Sequence, residues 1–398
     1  MRISTANAHD TTIEQLTQRQ RELSEAQMQL SSGKRVNRSS DDPISAARAE
    51  RALASVERSG ASLRGVDASR SAMTQTEGAL GHAVELLQTS REALVAGGDA
   101  SYTDAQRTVI ASQIRDLRSQ LFAVANRGDG DGSYLFGGQG SSLPPFIDAP
   151  GGVQFKGTRG EIHADNADGL PVTTDGAATW LSAPTGNSVF ETKSITSNGS
   201  AWIDSGNVID PTALTGATYR VQISVAAGNT TYTVLKNGGA TALTNVPFVS
   251  GQAITVDGMA FTLTGQPAAG DEFEVSPSTP TLSVFDVLDK AAAELATPGR
   301  SSGAMTQSTT QNLRNLDSIL GRLIDARATV GLALGRIDSV SDRLDKTKLD
   351  AQTERSAVED LDMVAAISDF QNKQTGYDAA LKAYSSVQRM TLFDYIKT

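Results

Sequence analysis

"LSSGKRVNRSSDDP", residues 30–43, interrupts a chain that reads as helix on both sides. The interruption holds one glycine, Gly33, three cations, Lys34, Arg35 and Arg38, and ends on Asp41-Asp42-Pro43. Two readings compete: a loop that cradles phosphate, and a joint between two helical segments. A phosphate loop of the nucleotide-binding kind needs a Gly-Lys pair followed by Ser or Thr. Here Lys34 is followed by Arg35, so that spacing is absent.

Outward from the break, the flanks carry heptad patterns. Before it, Ile13, Leu16, Leu23 and Leu30 fall on a and d positions, with Gln20 and Gln27 diluting the seam. After it, Val66, Met73, Leu80, Leu87 and Leu94 recur every seven residues, predicting one helix to about Ala96. At 1.5 Å per residue, a helix over 43–96 is about 80 Å long. "GGDASYTD" ends it, and Asp104 opens a third helix that closes at "NRGDGDG". Near the other end, a short helix around Phe285–Leu295 stops at Pro298-Gly299. A long one follows from about Met305, with nine apolar residues among the twelve a and d positions between Leu313 and Ala351. Met363, Phe370, Tyr377 and Tyr384 continue the seven-residue spacing, with Ile367 and Leu381 on the same face. The acidic run "VEDLD", with Glu359, Asp360 and Asp362, reads as the solvated face of that helix.

Between the flanks the composition changes. Residues 136–281 hold 20 of the 36 glycines and 10 of the 12 prolines, and helix interiors disfavour both. "YRVQISVA" alternates apolar and polar residues, "TYTVL" follows a Gly-Asn turn, and "AITVDGMAFTL" places Asp257-Gly258 between two alternating runs. "DEFEV" is a further strand, and "GVQFKGTRGEIHA" reads as an earlier hairpin. The fold class expected is therefore α+β: a long antiparallel helical bundle or coiled coil formed by both chain ends, with an inserted antiparallel β domain. The insert is long enough for two lobes, split near Lys193–Asn207. The expected domains are 1–42 with 356–398, 43–135 with 282–355, and 136–281.

Chemistry-bearing constellations are sparse. A net charge of −10 disfavours nucleic acid as a partner. No apolar run approaches the roughly 20 residues that span a bilayer, and the first residues show no apolar signal-peptide core. The chain lacks cysteine, and His9, His82 and His163 are far apart with no ligand spacing. Asp129 and Asp131 in "RGDGDG" lack the glutamate that closes a calcium loop, so the stretch reads as a helix-ending turn. No acid, base and nucleophile set stands out, and the expectation is a non-enzyme without catalytic, metal or cofactor-binding residues.

Certain stretches are familiar. "LSSGKRVNRSSDDPISAARAERALASV" resembles the N-terminal signature of bacterial flagellins and their hook-associated relatives, and "EDLDMVAAISDFQNKQTGYDAALKAYSSVQRMTLFDYI" resembles the C-terminal one. "NRGDGDGSYLFGGQGSSLPPF" resembles the helix-to-β crossing of the hook-associated protein 3 family, "GQPAAGDEFEVSPS" is similar to a β motif of hook-associated proteins, and the ending "TLFDYI" fits the hook-associated protein 3 family better than flagellin. The resemblance implies a structural adaptor polymerised between hook and filament, outside the cell on the flagellum, exported unfolded without a cleavable signal peptide. The partners it implies are hook-associated protein 1, flagellin, identical subunits in a ring, and an export chaperone, with neither nucleic acid nor membrane among them. A flagellin filament subunit is the nearest alternative, and a secreted adhesin or enzyme on a flagellin-type scaffold a more distant one.

The resemblance also assigns roles. It makes Ile13, Leu16, Leu23, Leu30, Met363, Ile367, Phe370, Tyr377, Leu381 and Tyr384 the assembly interface, whose helices fold on assembly. It makes Gly33, Lys34, Arg35, Asp41, Asp42 and Pro43 the spoke between two layers. Local chemistry agrees with a joint. Gly33 suits the left-handed position after a helix, Lys34 and Arg35 suit that helix's negative end, and Asp42 can cap the next helix with Pro43 in its first turn.

Overall fold

The computed structural model describes residues 3–130, 132–164 and 168–393. Among the described residues, seven α-helices and twelve strands follow in the order the composition predicts, helices at both ends and strands between. The chain divides into two compact units, residues 1–64 with 341–398, and residues 65–340.

The first unit is helical. Helix α1 (Ile3–Ser32) is followed by the opening turns of α2 (Pro43–Gly97). Helix α3 (Asp104–Ala125) belongs to the second unit and starts with a capping box, in which Thr103 and Gln106 satisfy each other's backbone amides.

The second unit is built on a buried seam. Val66, Met73, Leu80, Leu87 and Leu94 are each at most 1% exposed, so the seven-residue spacing marks the true core face of α2. The opposing seam comes from α6, described below.

The β region begins with a hairpin of β1 (Phe146–Ala149) and β2 (Gly152–Phe155). This corrects the expected hairpin at "GVQFKGTRGEIHA". Its first strand turns back through Pro150-Gly151 onto upstream residues, and His163 forms only an isolated bridge to Pro171. A short helix α4 (Gly176–Trp180) follows, capped by Asp175.

Strands β3 (Phe190–Thr196), β4 (Trp202–Ile203), β5 (Asn207–Val208), β6 (Tyr219–Ala226), β7 (Asn229–Lys236), β8 (Gly239–Ala240), β9 (Val246–Pro247), β10 (Ala253–Val256), β11 (Met259–Thr264) and β12 (Glu272–Pro277) form two antiparallel sheets. One runs β3-β12-β6-β7-β8, with β9 also on β7, and the other β10-β11-β4, with β5 also on β11. Their inward residues, among them Tyr219, Val221, Phe261, Leu263 and Phe273, share a single core that reaches from Phe190 to Val275. A split near Lys193–Asn207 therefore does not occur, since Lys193 sits inside β3, paired with Glu274.

Asp257-Gly258 turns as expected, with both residues at positive φ. The β6–β7 turn is shifted by one residue from the expected Gly-Asn. Ala227 and Gly228 hold the positive φ values, 49° and 80°, and Asn229 already pairs with Ala226. The "PAAGDEFEV" segment owes its shape to Asp271. This fully buried carboxylate accepts the amides of Asn198 at 2.6 Å, Ala268 at 2.8 Å and Gly199 at 3.3 Å.

Helix α5 (Val284–Ala296) packs on α3, and α6 (Ser302–Glu359) and α7 (Met363–Phe393) complete the chain. In α6, Leu316, Leu323, Val330 and Ile337 are at most 3% exposed and face the α2 seam. Arg91 to Asp317, Arg327 to Glu77 and Arg70 to Asp338 link the two helices in antiparallel register. Arg327 holds an a position of the heptad, but its guanidinium leaves the seam for Glu77. Phe122, Phe136, Phe146, Trp180 and Phe285 form an aromatic cluster that seats residues 136–180 on α3 and α5. Arg118 reinforces that seat through Asp148 and Asp289.

Candidate assembly surface

Two interruptions in the helices of the first unit meet. Helix α1 runs to Ser32, so the first interruption spans residues 33–42, and the second spans only residues 360–362, between α6 and α7. At Gly33 the backbone enters the left-handed region (φ +70°) while its amide still reaches Gln29 O at 2.9 Å. The chain then pairs with the far end. Leu361 N donates to Gly33 O at 3.0 Å, Arg35 N donates to Glu359 O at 2.7 Å, and Lys34 and Asp360 form an antiparallel bridge.

Side chains close the same contact. The Lys34 ammonium is ion-paired with the Glu359 carboxylate, which also accepts Arg355 Nε at 2.7 Å. These partners, Lys34 foremost, hold the Glu359 carboxyl below its ordinary range. Arg35 spreads its guanidinium over Val358 O at 2.8 Å, Ser45 Oγ at 3.1 Å and Asp42 at 3.3 Å. The two cations were expected beside the carbonyl end of α1. They serve the end of α6 instead, because the antiparallel bridge carries Val358 and Glu359 alongside them.

Asp42 caps α2, with its Oδ1 accepting Ser45 N at 3.0 Å and Ile44 N at 3.2 Å, and Pro43 as the first helical residue. The Ser45 hydrogen bonds, followed by Arg35, lower its pKa to about 2. Asp41 folds the preceding turn by accepting the amides of Arg38 at 2.8 Å and Asn37 at 3.1 Å.

The acidic run is not the solvated helix face that its sequence suggests. Glu359 ends α6 in an ion pair, Asp360 lies in the bridge, and Asp362 caps α7 by accepting Val364 N at 3.0 Å and Ala365 N at 3.1 Å. Arg355, Val358, Glu359 and Leu361 thus belong to the joint. The available signal was Asp362 preceding an apolar helical run, which is an N-cap pattern.

From the joint, α1 and α7 run back antiparallel as a pair, and Arg19 lies over Gly376. The ten heptad residues named from sequence lie on these two helices. Leu16, Leu23, Leu30, Phe370, Tyr377 and Tyr384 are half-buried, while Ile13, Met363, Ile367 and Leu381 are 40–45% exposed. Among the described side chains of the pair, Ala26 is the sole fully buried apolar one. Pairing therefore leaves both seams partly wet, in contrast with the dry seam of α2.

Elsewhere, His82 and His163 are exposed, and the His9 side chain lies outside the described residues. Asp129 stays in the turn after α3, accepting Ser133 N, and Asp131 also lies outside the described residues. Among the described residues, no cluster of three or more metal-ligating side chains occurs, and no helix is long and apolar enough to cross a membrane.

Comparison with known proteins follows the same geography. Residues 3–141 match the family model of the bacterial flagellin N-terminal helical region, and residues 313–396 that of the C-terminal helical region, together more than half of the chain. The flagellar hook-associated protein 3 of Escherichia coli is 25% identical over the full length of both chains. The crystal structure of flagellar hook associated protein-3 from Legionella pneumophila is similar at 25% identity and a TM-score of 0.70, covering 78% of this chain and 98% of that one. The FlgL structure from Xanthomonas campestris is similar at 26% identity and 0.69, covering 77% and 99%.

Proposed function

Because this chain belongs to the bacterial flagellin family, we propose that it is a structural, non-enzymatic subunit of the flagellum that polymerises as the junction between hook and filament. One observation carries the reading. The apolar seams of α1 and α7 are half-exposed in the single chain, whereas the α2 seam is closed. Full burial of one large apolar side chain is worth roughly 1.5–3 kcal/mol. A repeated arrangement of subunits supplies the missing cover, and each subunit completes its terminal core against its neighbours.

In this reading residues 1–42 and 356–398 form the assembly domain, residues 43–135 and 282–355 a helical rod, and residues 136–281 an outward insert. Gly33, Lys34, Arg35, Asp41, Asp42 and Pro43 act as the spoke between the first two. The protein assembles with other flagellar components: hook-associated protein 1 on the hook side, flagellin on the filament side, and identical subunits laterally. An export chaperone holds it before passage to the cell exterior. The helices α1 and α7 gain their stable fold in the assembly.

Gold labelling of an epitope-tagged chain on native flagella tests this. A single band of label at the distal end of the hook, together with flagellin shed into the medium when the gene is deleted, is the expected result. Label along the whole filament makes the chain a flagellin, and label away from the flagellum overturns the proposal.

A further inference from the structure

Helix α6 and residues 171–179 line a half-open cavity of about 160 Å³ within the second unit. Its floor is apolar, with Met73 from α2 and Ala326, Val330 and Ala333 from α6. One cation lines it, the half-buried Arg322, whose Nε donates to Ala178 O at 2.8 Å. That bond fixes the plane of the guanidinium and leaves the paired Nη edge without a partner among the described residues.

Three carboxylates line the same cavity, yet none is ion-paired with Arg322. Asp175 is used up by the amides of Ala178 at 3.0 Å and Gly160 at 2.9 Å. Glu161 and Asp325 are exposed at the rim and form no ion pair among the described residues. A planar cation with a free fork selects a carboxylate. Two rim acids beside it select a cation at short range from that carboxylate. The dry floor selects an aliphatic group, and the volume is below the roughly 300–1,000 Å³ of drug-sized sites, which suits a ligand of one amino acid.

We propose that this cavity binds a free aliphatic α-amino acid. Its carboxylate lies on the Arg322 fork, its ammonium between Glu161 and Asp325, and its side chain on Met73 and Val330. The site is separate from the assembly surface, so the inference stands or falls apart from the junction reading.

L-leucine titrated into the full-length chain, followed by methyl resonances of Met73 and Val330, tests it. The expected result is a saturable shift of both. Isocaproate, which lacks the ammonium, and isoamylamine, which lacks the carboxylate, should each bind at least tenfold more weakly. Thr329→Trp, at the exposed rim, should block binding without touching Arg322, and Arg322→Lys should weaken it at least tenfold. Absence of a saturable shift overturns the proposal, as does binding of either analogue as tightly as leucine. Undiminished binding by Thr329→Trp also overturns it, and that arm does not depend on whether the Arg322 variant folds.

Discussion

The Leu361 amide donates to the Gly33 carbonyl at 3.0 Å, joining the two places where the helical flanks break. Each break is local in cause, a left-handed glycine on one side and an aspartate cap on the other. Their meeting is tertiary, and it sets the start of α7 against the end of α1.

Gly33→Ala tests the left-handed turn. Nothing lies within 4 Å of the added Cβ, so the penalty is conformational rather than steric. Alanine at a positive φ costs about 1 kcal/mol. Amide exchange at Leu361 should accelerate roughly fivefold by the RT relation, while the amides of Leu80 and Leu87 keep their rates. Unchanged exchange at Leu361 would show that the bridge does not depend on this turn.

The same joint should loosen in acid. Glu359 and Asp42 both have folded pKa values below their unfolded ones. A carboxylate depressed in this way contributes stability above its unfolded pKa and loses it as pH falls through the folded value. For Asp42 the window runs from about pH 4 down to about 2. Protection of the Ser45 amide should be flat from pH 8 to 5 and decline below 4. Asp42→Asn should remove that dependence at Ser45.

The insert should be removable at a place the composition does not indicate. The compositional boundary near Phe136 cuts through the aromatic cluster that covers Phe122 and Phe285. The chain instead enters and leaves the outer sheets where Ser278 Oγ donates to Thr185 O at 2.7 Å, so the two chain segments there are already adjacent. Replacing residues 187–277 by a three-residue Gly/Ser linker should leave the melting temperature of the helical part within a few degrees and preserve attachment at the hook end. Replacing residues 140–277 should lower that melting temperature, because it strips Phe146, Phe155 and Trp180 from α5.

Sequence carried the helical half of this fold because heptad spacing reports burial directly: Val66 through Leu94 are dry at every seventh residue. It carried Gly33 and Asp42 for a similar reason, since a helix end is written within four residues. The other half of the joint was partly hidden in "VEDLD", where Glu359 and Leu361 favour a helix locally and the N-cap pattern at Asp362 is the local sign of a break. Its pairing with Gly33 and Arg35 is tertiary and has no local sign. Strand partners were hidden likewise. "GVQF" shows a strand without showing which neighbour it takes, and the Pro150-Gly151 turn settled that in favour of "FIDA".

The partly wet terminal seam and the dry seam of α2 should respond to truncation in opposite ways. In the single chain Phe370 is half-buried and Leu381 is 40% exposed, so truncating either removes less buried surface than truncating a fully buried residue does. Leu87 is fully buried, and Leu→Ala at such a site costs about 2–5 kcal/mol. Leu87→Ala should therefore lower the melting temperature of the purified monomer, and Phe370→Ala with Leu381→Ala should lower it less. Assembly should invert the ranking. If neighbours bury the terminal seam, the double variant loses its truncated contacts in every subunit at once, and it should be exported and soluble but absent from hooks, with flagellin shed into the medium. Amide exchange on the verified monomer adds the matching observation, weak protection over residues 10–30 and 363–386 beside strong protection over 66–94. A double variant that still assembles, or that melts as early as Leu87→Ala, would return the terminal helices to the monomer's own core and leave the assembly without this interface.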